Sequence, residues 1–202
     1  MKIKSLVSAT ALLVLAGCAS TSFKSTWKNP QANQIQIAGK KIIVVATSVP
    51  TSVRMSAETA IAAELNKMGA QATPSRDLLP SGTSVDDAKA KVAAEGYDAA
   101  WVVRMTNREQ EVSSTPGMYA PAGMYGSYWG WGGGYGAYSA PEIRTDIKVY
   151  LETLVYAVKA DQLVWSGMSV TTNPNDISAS AGELVRVAVN EMQKSGVLAP
   201  AK

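Results

Sequence analysis

The chain has 202 residues, enough for one domain with a sizeable core. Hydrophobic residues make up 47% and charged residues 17%, too apolar a balance for a disordered chain. The absence of histidine excludes His-based acid/base catalysis, the single cysteine excludes an intramolecular disulfide and a Cys-rich metal site, and the net charge of +3 is small. No basic block marks a nucleic-acid surface, so neither a nucleic-acid partner nor a cofactor is expected.

Met1–Lys4 form a short basic start, and Ser5–Ala16 an apolar run. That run is too short to span a bilayer, which needs roughly 20 residues. It has the length of a secretory signal peptide, here residues 1–17. It ends in Leu15-Ala16-Gly17-Cys18, which resembles the lipobox of bacterial lipoproteins. The resemblance implies a diacylglyceryl group on the Cys18 sulfur, cleavage before Cys18 and acylation of the new amino group. The small Ala16 and Gly17 suit an extended chain in a peptidase cleft. Two or more buried acyl chains anchor a protein stably. By resemblance to Gram-negative lipoproteins, Ala19 in place of Asp implies sorting to the outer membrane, on its periplasmic face, with exposure at the cell surface left open. Cleavage also removes Lys2 and Lys4, so the basic charge belongs partly to the leader.

Residues 18–39 read as a lipidated N-terminus and tether, with Ser, Thr and Lys over Ala19–Lys28 and no periodicity. Trp27 interrupts the tether and is expected to pack on the domain edge. Residues 40–198 read as one α/β domain. Lys41–Thr47 is a β-branched run without alternation, the pattern of a strand buried on both faces. Val53–Met68 predicts a helix, with Ala57, Ile61, Leu65 and Met68 on one face and Gly69 as its stop. Ala70–Thr73 reads as a short strand. Ser84 and Asp87 predict the cap of a second helix over Val85–Glu95, ended by Gly96. Tyr97–Met105 reads as another buried strand. Thr145–Val158 alternates: Ile147, Val149, Leu151, Thr153 and Val155 on one face, Asp146, Lys148, Tyr150, Glu152 and Tyr156 on the other. Leu163–Thr172 returns as its hairpin partner. Ser180 and Glu183 read as a capping box for a last helix over Ala181–Lys194. The order is β-α-β-α-β, a long loop, then β-β-α. It predicts a mixed sheet with two or three packed helices, an α/β (α+β) domain with Val44, Trp101 and Leu151 in the core.

Several of these pieces together resemble a group of Gram-negative envelope lipoproteins of unknown function. They are the lipobox, Trp27-Lys28, the Lys41–Ala46 strand, Gly96-Tyr97-Asp98-Ala99 leading into Val102-Val103-Arg104, and Leu163-Val164-Trp165-Ser166-Gly167. The resemblance spans most of the mature chain and implies an envelope location, with no catalytic residue. The topology is also similar to the amino-terminal domain of the Tol-system β-propeller protein and to lipoprotein activators of peptidoglycan synthases. That likeness speaks to fold alone.

Residues 116–141 stand apart. They hold Tyr119, Tyr125, Tyr128, Trp129, Trp131, Tyr135 and Tyr138, half of all the glycines and no charge. So long a loop is either a glycine-rich connection whose rings fold back on the sheet or a functional surface. Tyr and Trp supply large contact area with few rotamers, so these seven rings are the candidate partner-binding residues. An envelope protein, a second copy, glycan strands and the lipid interface are the candidate partners.

Other residues point to no chemistry. Asp146 and Glu152 share a strand face but lie about 20 Å apart, too far for a catalytic carboxylate pair. Arg104 is expected to pair with an acidic neighbour or emerge at its strand end. Arg108, Glu109 and Glu111 read as an exposed strand end. Gly130–Gly134 lacks the Lys-Ser/Thr of a phosphate loop. The sequence therefore favours a non-enzymatic, lipid-anchored binding or scaffolding module. The alternative is an envelope-polymer hydrolase or transferase with a site that spacing does not reveal.

Overall fold

The computed structural model describes residues 20–80, 82–115, 119–120, 137–138 and 142–199. Its elements are β1 (Ser20–Lys28), β2 (Lys41–Thr47), α1 (Thr51–Lys67), β3 (Gln71–Pro74), a 3-10 turn (Ser75–Asp77), α2 (Val85–Ala94), β4 (Ala99–Thr115), β5 (Tyr119–Ala120), β6 (Ala137–Tyr138), β7 (Glu142–Ala157), β8 (Gln162–Thr172) and α3 (Ile177–Lys194). Six strands form one mixed sheet in the order β1-β8-β7-β4-β2-β3. β2 runs parallel to β3 and β4, and the other neighbours are antiparallel. The expected α+β order is present, with one strand added in front.

That added strand is a correction. Ser20–Lys28, read as tether, pairs with β8 from Ser20↔Thr172 to Lys28↔Trp165. The sequence carries the reason: Thr21 and Phe23 alternate inward within a Ser/Thr-rich stretch, and a register shift after Phe23 then hides the period. Trp27 lies on this edge strand and is 47% exposed.

α1 and α3 cover one face of the sheet. Ile61, Leu65, Leu184, Val185, Ala188 and Met192 meet Val44, Trp101, Val155 and Trp165 there. Val44 and Trp101 are buried as expected, while Leu151 is half-buried at the margin of that core. Arg186 Nη1 on α3 donates to Glu64 Oε1 on α1 at 2.9 Å. Lys67 and Arg186, both bonded to it, hold the Glu64 carboxyl below its ordinary pKa. Among the described residues the opposite face carries only α2, whose Val92 packs with Ile43 and Tyr97.

The helix starts show which local signals hold. Ser84 caps α2 as expected, its Oγ accepting from the Asp87 N–H at 3.1 Å. The capping box at Ser180 and Glu183 is not formed. α3 begins at Ile177, capped by Asp176, which accepts from the Ala179 N–H at 2.7 Å. Glu183 is spent on β1 instead. Its carboxylate accepts from the Thr21 N–H at 3.2 Å and the Thr21 hydroxyl at 3.1 Å. The Thr21 hydroxyl proton is thus committed, so the Thr171 hydroxyl, 2.9 Å away, donates to Thr21.

Gly167 on β8 has a steric role. A Cβ there would lie 2.5 Å from Phe23 Cε1 and 2.6 Å from Trp165 Cη2. Phe23 and Trp165 meet edge to face, with centroids 5.5 Å apart. The missing side chain lets the Phe23 ring lie over the strand, an aromatic covering a strand glycine. Gly167→Ala should therefore cost about 1–3 kcal/mol through overpacking. Equal urea midpoints for parent and variant would contradict this.

Candidate functional site

β4 and β7 are far longer than their neighbours. β2 leaves β4 at Thr47↔Arg104, and β8 leaves β7 at Lys148↔Thr172. The β4–β7 ladder runs on to Thr115↔Glu142. The result is a two-stranded ribbon that extends past the sheet. The sequence predicts a buried strand ending at Met105 and an exposed strand end at Arg108, Glu109 and Glu111, without the paired ribbon that runs to Thr115. Its polar composition, with Arg108, Glu109, Gln110 and Glu111, gives no strand signal of the buried kind.

The ribbon has two unlike faces, because paired residues share a face. One carries charge. Lys148 pairs with Glu111, and Arg104 with Glu152. Arg144 Nε lies 3.3 Å from Asp146. The Tyr150 hydroxyl donates to Glu109 at 3.0 Å, and this bond raises the phenol pKa. Asp146 also accepts from Asn173 at 2.7 Å, which with Arg144 holds its pKa down. Exposed pairs of this kind each contribute little to stability. The other face continues from the core outward through Leu151, Val149 and Ile147 to Val112 and Ile143. Val112 is 62% exposed and Ile143 is 72% exposed.

Arg104 pairs with an acidic neighbour, as expected. Asp146 and Glu152 are engaged with different partners. Of the seven candidate rings, Tyr119 and Tyr138 lie on described backbone, directly paired on β5 and β6. Tyr125, Tyr128, Trp129, Trp131 and Tyr135 lie outside the described residues, as does Cys18.

A second feature is a groove of about 660 Å³ between α2 and the open sheet face. Ile43, Val45, Ala100 and Val102 form its floor, and Ala88 and Val92 one wall. Lys89 and Asp161, paired at 2.9 Å, stand at its rim. The lining is mostly apolar, with Arg54, Ser75, Ser84 and Tyr156 among its polar residues.

Glu58 is the most buried charged residue described, at 0% exposure. Its Oε1 accepts from the Ala46 N–H at 3.0 Å and the Ser75 hydroxyl at 2.7 Å. The Arg76 N–H reaches Oε2 at 3.4 Å, and Arg54 Nε lies 3.7 Å from Oε1. This carboxylate ties α1 to the end of β2 and to the 3-10 turn. The sequence held a signal for it, since Glu58 sits three residues before Ile61 on the apolar stripe of a helix.

Asp98 explains part of the Gly96–Ala99 motif. It accepts from the Lys41 N–H at 3.1 Å, with Lys159 and Lys40 nearby, and these hold its pKa down. Gly96 has φ +72°, the left-handed backbone that ends α2. Among the described residues no group of three or more His, Cys, Asp or Glu side chains is placed to hold a metal. No helix among them is long and apolar enough to cross a membrane.

No protein-family model and no curated protein matches the chain. Solved structures with a similar course of chain include PelC from Paraburkholderia phytofirmans, a dodecamer. It matches at 12% identity and TM-score 0.49, covering 90% of this chain and 100% of that one. Lipoprotein GNA1162 from Neisseria meningitidis is similar at 16% identity and TM-score 0.43, covering 77% of this chain and 99% of that one.

Proposed function

We propose that the chain is a lipoprotein, held in the outer membrane through lipid on Cys18, facing the periplasm, and acting as a non-enzymatic binding or scaffolding module of the cell envelope. The observation that carries this reading is the lipobox standing two residues before the first strand. Cleavage ahead of Cys18 removes only residues that precede Ser20, so all of β1 stays with the mature chain. The uncharged aromatic segment between the two ribbon strands is the proposed contact for an envelope protein, a second copy or glycan. The apolar groove and the structural employment of Glu58 support binding over catalysis.

Cys18→Ser should abolish lipidation and leave uncleaved precursor. Mass spectrometry of the native protein should find a diacylglyceryl-modified Cys18 as its first residue. An unlipidated mature terminus at Ala19 or beyond would overturn the anchor. The scaffold reading is tested by replacing Met118–Tyr138 with a short Gly/Ser linker. The melting temperature should hold, while capture of partners from solubilised envelopes falls. A variant that keeps every partner would reduce the segment to a connection.

A further inference from the structure

The register of the sheet places the start of the chain and the ribbon at the same end of the molecule. Ser20 pairs with Thr172, Thr172 with Lys148, and Lys148 with Glu109, so the four lie in one row. β1 runs parallel to β7, so the chain before Ser20 leads toward the ribbon tip. Cys18 is two residues ahead of Ser20 and reaches at most about 7 Å past that row. The ribbon continues for six residues past it, to Thr115↔Glu142, or about 20 Å. A lipid on Cys18 therefore brings the bilayer surface within the ribbon's span.

We infer that the apolar face of the ribbon, at Val112 and Ile143, lies against the bilayer that holds the lipid, as a second membrane contact. This rests on the lipoprotein reading. Three observations favour a lipid surface as the occupant of this face. The short lead from Cys18 puts the anchor and the ribbon tip on the same side of the molecule. Charge is sorted, since Glu109, Glu111 and Asp146 belong to the opposite face. The apolar face carries Arg108 as its only charged residue among the described ones beyond the sheet, a cation suited to lipid phosphates. Finally, residues 117–140, which join the two strands, hold no charge that would oppose entry into the interface.

The test uses the full lipidated protein in vesicles of phosphatidylethanolamine and phosphatidylglycerol. Lipid consumes the only native cysteine, so V112C, I143C and A160C each give one site for a spin label. Ala160 lies in the β7–β8 turn, at the far end of the sheet. Labels at 112 and 143 should show an oxygen-to-nickel-complex accessibility ratio several-fold above that at 160. Equal, water-like ratios at all three sites, with Cys18 lipidated by mass, would overturn the inference and leave the anchor intact. Labels at 112 and 143 shielded from both reagents, with spin–spin broadening, would assign the face to a second copy and overturn it too. An unlipidated Cys18 would remove the anchor and the inference with it.

Discussion

Trp101→Ala is expected to destabilise the protein by about 3–5 kcal/mol. Trp101 is 1% exposed at the centre of β4, between Val44 on β2 and Val155 on β7, and faces the helix layer. Its removal leaves a cavity that paired backbone on both sides cannot close. A loss of that size is a large share of the roughly 5–15 kcal/mol that holds a domain folded. Urea unfolding should show the midpoint falling steeply. Trp101→Phe gives the graded control. Among the described residues the buried Trp101 indole N–H has no hydrogen-bond partner. Phe removes that unmet donor along with part of the ring, so its cost should be well below that of Ala. A Phe variant as damaged as the Ala variant would show that shape, not volume, dominates at this site.

Glu58→Ala should cost a comparable amount, about 3–5 kcal/mol, for a different reason. The loss is not one of apolar volume. It strands the Ala46 N–H and the Ser75 hydroxyl in a dry site, and leaves Arg54 without its counter-ion. Glu58→Gln keeps an oxygen where both short bonds converge, but turns an amide NH2 toward the distant Arg76 N–H and removes the counter-ion of Arg54. It should recover much of the loss. If Ala and Gln variants melted together near the parent, the buried carboxylate would not be a tie between α1 and β2.

The chain's elements differ in how openly they announce themselves. Lys41–Thr47 and Tyr97–Met105 are legible because α1 and α3 cover one face of the sheet there and α2 partly covers the other, which writes a continuous apolar run. The β7–β8 hairpin is legible because one face is wet and alternation results. β1 is hidden because its inward side chains are a threonine and a phenylalanine either side of a serine, inside a Ser/Thr-rich stretch. The ribbon is hidden because neither flank is covered, so its strands are held by a ladder of paired backbone and not by burial. Glu183 shows the limit of local motifs. Its spacing from Ser180 fits a capping box, yet a strand more than 160 positions earlier in the chain takes its carboxylate. Of the candidate residues, Arg104 met its expected kind of partner, while the ribbon, the groove and Glu58 arise from contacts between distant segments.

β1 also sets an order of events in time. It is the first of the described strands, yet among them it pairs with β8, and Thr21 and Thr171 stand 150 positions apart. A pairing so distant in sequence closes late, since nearly the whole chain must be in place first. On the lipoprotein reading, Ser20–Lys28 has no strand to join until β8 has been made, so its pairing does not compete with lipid transfer and cleavage at Cys18. Once β1 closes onto β8, only Ala19 separates Cys18 from a hydrogen-bonded ladder. On the lipoprotein reading, this delay lets the membrane enzymes act before the last edge of the sheet shuts, so the chain's maturation is timed by the order of its own strands.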